Sequence, residues 1–168
     1  AQMNNYIQEA IDKNGYGTGA GVAAAGQALT YGLYQMGYRL PYVLGGKHYV
    51  GIPFENNGEP DGLDCSGFVT WAIVNGCNSN FSYHTSGAFY NLTSNTTTIE
   101  KAKPGDIMVA NGHVRLVIYS NGSNVIVAEE GSTKSGLHFA SYNSYYDTLG
   151  RKYKILDMSS WYSKNCKG

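Results

Sequence analysis

The hydrophobic period of this chain changes once, at Lys103-Pro104-Gly105-Asp106. After that point apolar residues recur every second position in short runs: "DIMVA" (106–110), "HVRLVIY" (113–119), "NVIVAEE" (124–130), "GLHFASY" (136–142) and "KYKILDM" (152–158). Period two, β-branched residues and bounding turn residues specify strands. The Asn121-Gly122 pair between the second and third runs is a strong hairpin signal. The chain therefore reads as helices first and an antiparallel β-meander second, an α+β architecture.

The earlier part carries the helical period. Residues 3–13 place Tyr6, Ile7, Ala10 and Ile11 on one stripe, and Asn14-Gly15 ends it. A second helix is expected from about 20 to 36, with Leu29, Leu33 and Met36 apolar and Gly37 as its cap. Residues 1–37 thus form a helical lead-in, and 38–168 the main unit, the two making one compact body. Residues 47–63 read as a loop. "CSGFVTWAIVNG" (65–76) is apolar almost all round, the mark of a buried helix. A single helical turn is expected around 85–91 in the polar stretch that follows.

Composition narrows the function. Twelve basic residues balance twelve acidic ones, and charged residues are only 14% of the chain. That excludes a nucleic-acid partner or a basic membrane patch. No run is apolar for the ~18 residues a membrane span needs. Fifteen tyrosines and 22 glycines, with many Asn and Ser, suit a secreted protein that touches carbohydrate or peptide. His48, His84 and His138 lack ligand spacing, so neither a metal nor a cofactor is expected. Three cysteines leave at least one unpaired within the chain. Cys77 and Cys166 either form a disulfide or stay free. The opening Ala1-Gln2-Met3 suggests a piece processed from a longer parent with other domains.

Chemistry gathers at "DGLDCSGF" (61–68). Asp64 is placed to cap the helix, which puts Cys65 in its first turn. A helix N-terminus and a neighbouring imidazolium both stabilise a thiolate, and the N–H groups there can also bind an oxyanion. Ser66 and Gly67 are small and leave room for a substrate carbonyl. The base is His113, at the start of a strand. A two-residue turn at Asn121-Gly122 pairs Ser120 with Ser123, Arg115 with Ala128 and His113 with Glu130. Opposed residues share a face, so Glu130 can fix the imidazole. A register slip of one residue would put Glu129 there instead.

"LDCSGFVTWAI" (63–73), "KPGDIM" (103–108) and "GHVRLVIY" (112–119), with "PYVLGG" (41–46) upstream, resemble the NlpC/P60 cysteine peptidases over roughly residues 38–142. The resemblance implies a papain-like α+β fold acting outside the cytoplasm on peptidoglycan stem peptides, commonly at the γ-D-glutamyl bond to the diamino acid. It implies Cys65 as nucleophile and His113 as base. Tyr42, Asp64 and Ser66 match positions that hold the amino end of the stem peptide. Two features depart from the family pattern. Its third polar residue is most often a histidine on the next strand, which this chain lacks, so Glu130 is the expected substitute. Arg115 stands where a small residue is customary, either to bind a substrate carboxylate or to pair with Glu129 or Glu130. The Cys-His-Glu order also resembles the CHAP amidases, which cut the sugar–peptide link or a cross-bridge. A third class is a wall-binding module without catalysis, for which Cys65→Ala would be silent.

Overall fold

The computed structural model describes residues 65–76, 80–130 and 137–166. The two expected N-terminal helices, "PYVLGG", Tyr42, Asp64, His48 and Cys77 lie outside the described residues.

Helix α1 spans Cys65–Gly76, as its apolar composition requires. Phe68, Val69, Trp71, Ala72 and Ile73 are all fully buried. One short turn follows, α2 (Ser86–Tyr90), capped by the Thr85 hydroxyl, which accepts the Ala88 N–H at 3.1 Å. The strands are β1 (Thr96–Thr97), β2 (Ile107–Ala110), β3 (His113–Ser120), β4 (Val125–Glu130), β5 (Leu137–Tyr142) and β6 (Lys154–Leu156). A last helix, α3 (Ser159–Asn165), closes the chain.

The strands form one antiparallel sheet in the order β1-β6-β2-β3-β4-β5. Strands β2 to β5 are the expected meander. Strand β6 crosses back to pair with the far side of β2, and β1 adds an edge beyond it. Both sheet faces are covered. Ile107, Val109, Val114, Leu116, Ile126 and Ala128 pack with α1 on one side. Met108, Ala110, Val117, Val125 and Val127 pack with Tyr153 and Ile155 on the other. The expected strict alternation is therefore corrected: with both faces covered, β2 and β3 are buried almost throughout and carry near-continuous apolar runs.

The expected hairpin register needs correction. The two-residue turn is Asn111-Gly112, because Ala110 pairs with His113, and Gly112 takes the left-handed φ of +99° that such a turn demands. The second Asn-Gly pair sits in a four-residue connection, since Ser120 pairs with Val125 rather than Ser123. The Asn121 side chain closes it by accepting the N–H groups of Ser123 and Asn124 at 3.0 and 2.8 Å. That longer connection moves the register by an even step and keeps the faces. A β-bulge at Ile118, between the Val117–Val127 and Tyr119–Ile126 pairs, adds an odd step and exchanges them.

The "KPGD" stretch is a clamp. The buried Asp106 carboxylate accepts the Met158 N–H at 3.0 Å on one oxygen. Its other oxygen accepts the Lys103 N–H at 2.9 Å and the Lys103 ammonium at 3.3 Å. Tyr162 Oη donates to the Gly105 carbonyl at 2.6 Å. Together these tie the start of β2 to α3.

Candidate active site

Cys65 opens α1 as a partly exposed, free thiol. Its neighbour Ser66 is buried, with its hydroxyl 2.8 Å from the Tyr83 hydroxyl. His113 opens β3 directly after the tight Asn111-Gly112 turn, and it is only 7% exposed. Its Nε2 lies 2.6 Å from Oε1 of Glu129. Cys65 lies close enough to the ring to act on its ionisation, and Nδ1 is the ring nitrogen that Glu129 leaves open. Burial pulls the His113 pKa down, but the interaction with Cys65, and the hydrogen bond and negative charge of Glu129, outweigh it and hold the ring above its ordinary value. The site thus favours the imidazolium more than water does, which suits a ring that accepts the thiol proton.

The carboxylate on His113 belongs to Glu129. The expectation for Glu130 rested on the register that the Ile118 bulge displaces. Glu130 ends β4 opposite Leu137, and its side chain lies outside those described. Glu129 is 3% exposed and well supplied with donors. Its Oε1 also accepts Arg115 Nε at 3.2 Å, and its Oε2 accepts the Tyr142 hydroxyl. Burial and the neighbouring carboxylate push the Tyr142 pKa far up, so its hydroxyl stays a donor.

Arg115 is 4% exposed and lies behind Glu129. Its guanidinium is sandwiched between two rings, 3.7 Å from the Tyr142 centroid and 4.0 Å from that of Tyr153. Of the two roles open to it in the sequence, the geometry matches pairing with Glu129. A buried ion pair is tolerable only when its remaining valences are satisfied, and here rings and hydroxyl supply that satisfaction. Tyr153 also meets the His113 ring edge-on, with centroids 6.3 Å apart. Its hydroxyl donates to Asp147 at 2.8 Å. Sequence reasoning missed Tyr142 and Tyr153. The overlooked signal was Asn111-Gly112, which fixes the β2–β3 register and thereby shows which strand face carries His113.

His84 is remote in character, stacked on Phe81 at 4.3 Å and bonded to the Ser82 carbonyl. Among the described residues no group of His, Cys, Asp and Glu is arranged to hold a metal. Cys166 is disulfide-bonded, and its expected partner, Cys77, lies outside the described residues.

A free thiol at a helix start, a hydrogen-bonded imidazole and a buried carboxylate are the parts of a cysteine nucleophile system. A family model described as "NlpC/P60 family" matches residues 39–153. The chain belongs to the NlpC/P60 family. Solved structures show the same fold. RipA, a resuscitation promoting factor interacting protein, has been solved in a mutated form that is 20% identical, with a TM-score of 0.54 over 82% of this chain and 62% of that one. A hypothetical invasion protein of Mycobacterium tuberculosis is 22% identical, with a TM-score of 0.53 over 82% of this chain and 62% of that one. The peptidoglycan hydrolase RipB of Mycobacterium tuberculosis is 20% identical, with a TM-score of 0.52 over 94% and 83%. This chain therefore spans less than two thirds of the first two. A search of curated proteins found no match. The NlpC/P60 match extends past the expected boundary to include the connection from β5 to β6.

Proposed function

We propose that this NlpC/P60 domain is a cysteine peptidase of the cell wall, acting outside the cytoplasm on peptidoglycan stem peptides at the bond between D-Glu and the diamino acid. One observation carries the proposal: a partly exposed Cys65 thiol beside a buried His113 whose Nε2 is held at 2.6 Å by the buried Glu129 carboxylate. Family membership and the likeness to a protein described as a peptidoglycan hydrolase support the choice of substrate.

The chemistry follows from the geometry. Cys65 Sγ gives its proton to His113 Nδ1 and attacks the amide carbonyl carbon. The oxyanion forms at the N-terminal end of α1, where the helix dipole is positive. As the tetrahedral species collapses, Nδ1 returns that proton to the departing amine and a thioester remains. Water, deprotonated by His113, then attacks the thioester, and the thiol is restored as the acid leaves. Glu129 keeps the Nε2 proton in place, so that Nδ1 is the basic nitrogen. Tyr42, Asp64 and Ser66 are the proposed ligands of the stem peptide's amino end. No metal or cofactor takes part in these steps.

The test is product mass. Defined stem peptides and whole sacculi should yield fragments ending in D-Glu, and Cys65→Ala should yield none. Fragments cut between sugar and peptide would indicate an amidase instead. Unaltered sacculi would leave a wall-binding module.

A further inference from the structure

The connection from β5 to β6 carries a second arginine that the steps above do not use. Asp147 shapes this segment. Its Oδ1 accepts the N–H groups of Leu149 and Arg151 at 2.9 and 3.0 Å, and Asp147 N–H donates to the Arg151 carbonyl at 3.1 Å. Its Oδ2 accepts Arg151 Nε at 2.7 Å together with the Tyr153 hydroxyl. Hydrogen bonds from Tyr153 and Arg151 overcome the effect of burial and hold Asp147 far below the usual carboxylate range. The Arg151 side chain is thus anchored through Nε while about a third of it stays in solvent. Among the described residues, no side chain or carbonyl takes a hydrogen bond from its two terminal nitrogens.

One of those nitrogens lies beside the turn that leads into His113. A Cβ built on Gly112 would lie 3.4 Å from Arg151 Nη1. The missing side chain at Gly112, required already by the turn, lets a guanidinium settle beside the residue that precedes His113. The guanidinium is also close enough to Cys65 for the two groups to act on each other. His113 protonates the departing amine, so its side of the site is the side on which the leaving residue lies.

We infer that Arg151 is the specificity-determining residue that receives a free carboxylate on the residue whose amine departs. A substrate whose leaving residue is a dicarboxylic diamino acid fits this placement, and one lacking a free carboxylate does not. A planar fork matches a carboxylate with two parallel hydrogen bonds, which a lysine ammonium would not reproduce. The inference rests on the peptidase reading for the direction of the peptide, but binding can be read without turnover.

The experiment uses the inactive Cys65→Ala chain and two stem peptides that differ only in a carboxylate or its primary amide on the leaving residue. Calorimetry should show the carboxylate form binding about tenfold more tightly. Adding Arg151→Gln should bring the two forms within about twofold of each other, and Arg151→Lys should fall between. Equal affinity of Cys65→Ala for both peptides, or binding of neither, overturns the inference before any change at Arg151 is made. So does a preference that survives Arg151→Gln. Turnover of the same peptides by the unaltered chain separates the two readings. Preference without cleavage keeps the Arg151 assignment and removes the peptidase, and cleavage without preference does the reverse.

Discussion

At the level of single residues, the site depends on which groups touch the imidazole. Glu129 supplies a hydrogen bond and a charge that raise the His113 pKa, and burial acts the other way. Glu129→Gln should therefore lower that pKa, and the alkaline limb of kcat/KM should move to lower pH, because the imidazolium is lost sooner. The substitution should reduce kcat by roughly 10²–10⁴-fold with little change in KM, as removal of an orienting carboxylate does. Glu130→Gln serves as the control, and an equal loss there would contradict the Glu129 assignment. Arg115→Met should weaken the reaction through Glu129, so its pH profile should shift in company with its rate. A rate loss with an unchanged profile would mean that Arg115 acts on packing alone. Cys65 and His113 became candidates through motif and spacing, and they open α1 and β3. Glu129 ranked only second, because a one-residue bulge leaves no signature among similar β-branched residues.

Among the elements, the clamp at Asp106 makes a sharp case. Asp106→Ala would leave the Met158 and Lys103 N–H groups without their acceptor. A loss of about 3 kcal/mol in unfolding free energy is expected from two orphaned donors, one of them buried. Urea midpoints would check this, and a loss below about 1 kcal/mol would show that water replaces the carboxylate. Helix α1, the turn at α2 and five of the six strands were readable from periodicity. Strand β1 was not, because two threonines have no period. Helix α3 was missed because "SSWYSKN" offers little more than Tyr162 to bury. The return of β6 to β2 was equally hidden, since strand order depends on which edge is free rather than on local pattern. Asn121-Gly122 misled for a related reason: the dipeptide favours a positive φ at Gly122, which it has, without dictating how many residues the turn contains.

For the molecule as a whole, the raised His113 pKa couples folding to pH. The folded state holds this proton more tightly than the unfolded chain does. The stabilisation is therefore complete below about pH 6.5, the value for a free imidazole, and is lost as the pH rises through the higher folded value. Thermal melts of the unaltered chain and of His113→Gln should converge as the pH rises above about 6.5, after every shared ionisation is subtracted; parallel curves would show that the fold does not favour the charged ring. The network behind that ring has a bearing on how such sites diverge. Arg115 fits its apolar slot between two tyrosine rings because Glu129 cancels its charge. A relative with a neutral imidazole in place of Glu129 could not shelter a guanidinium there. Positions 115 and 129 should therefore change together across lineages, with an exchange at one soon matched at the other, and any chimera that mixes the two arrangements should inherit an uncompensated cation beneath its candidate base.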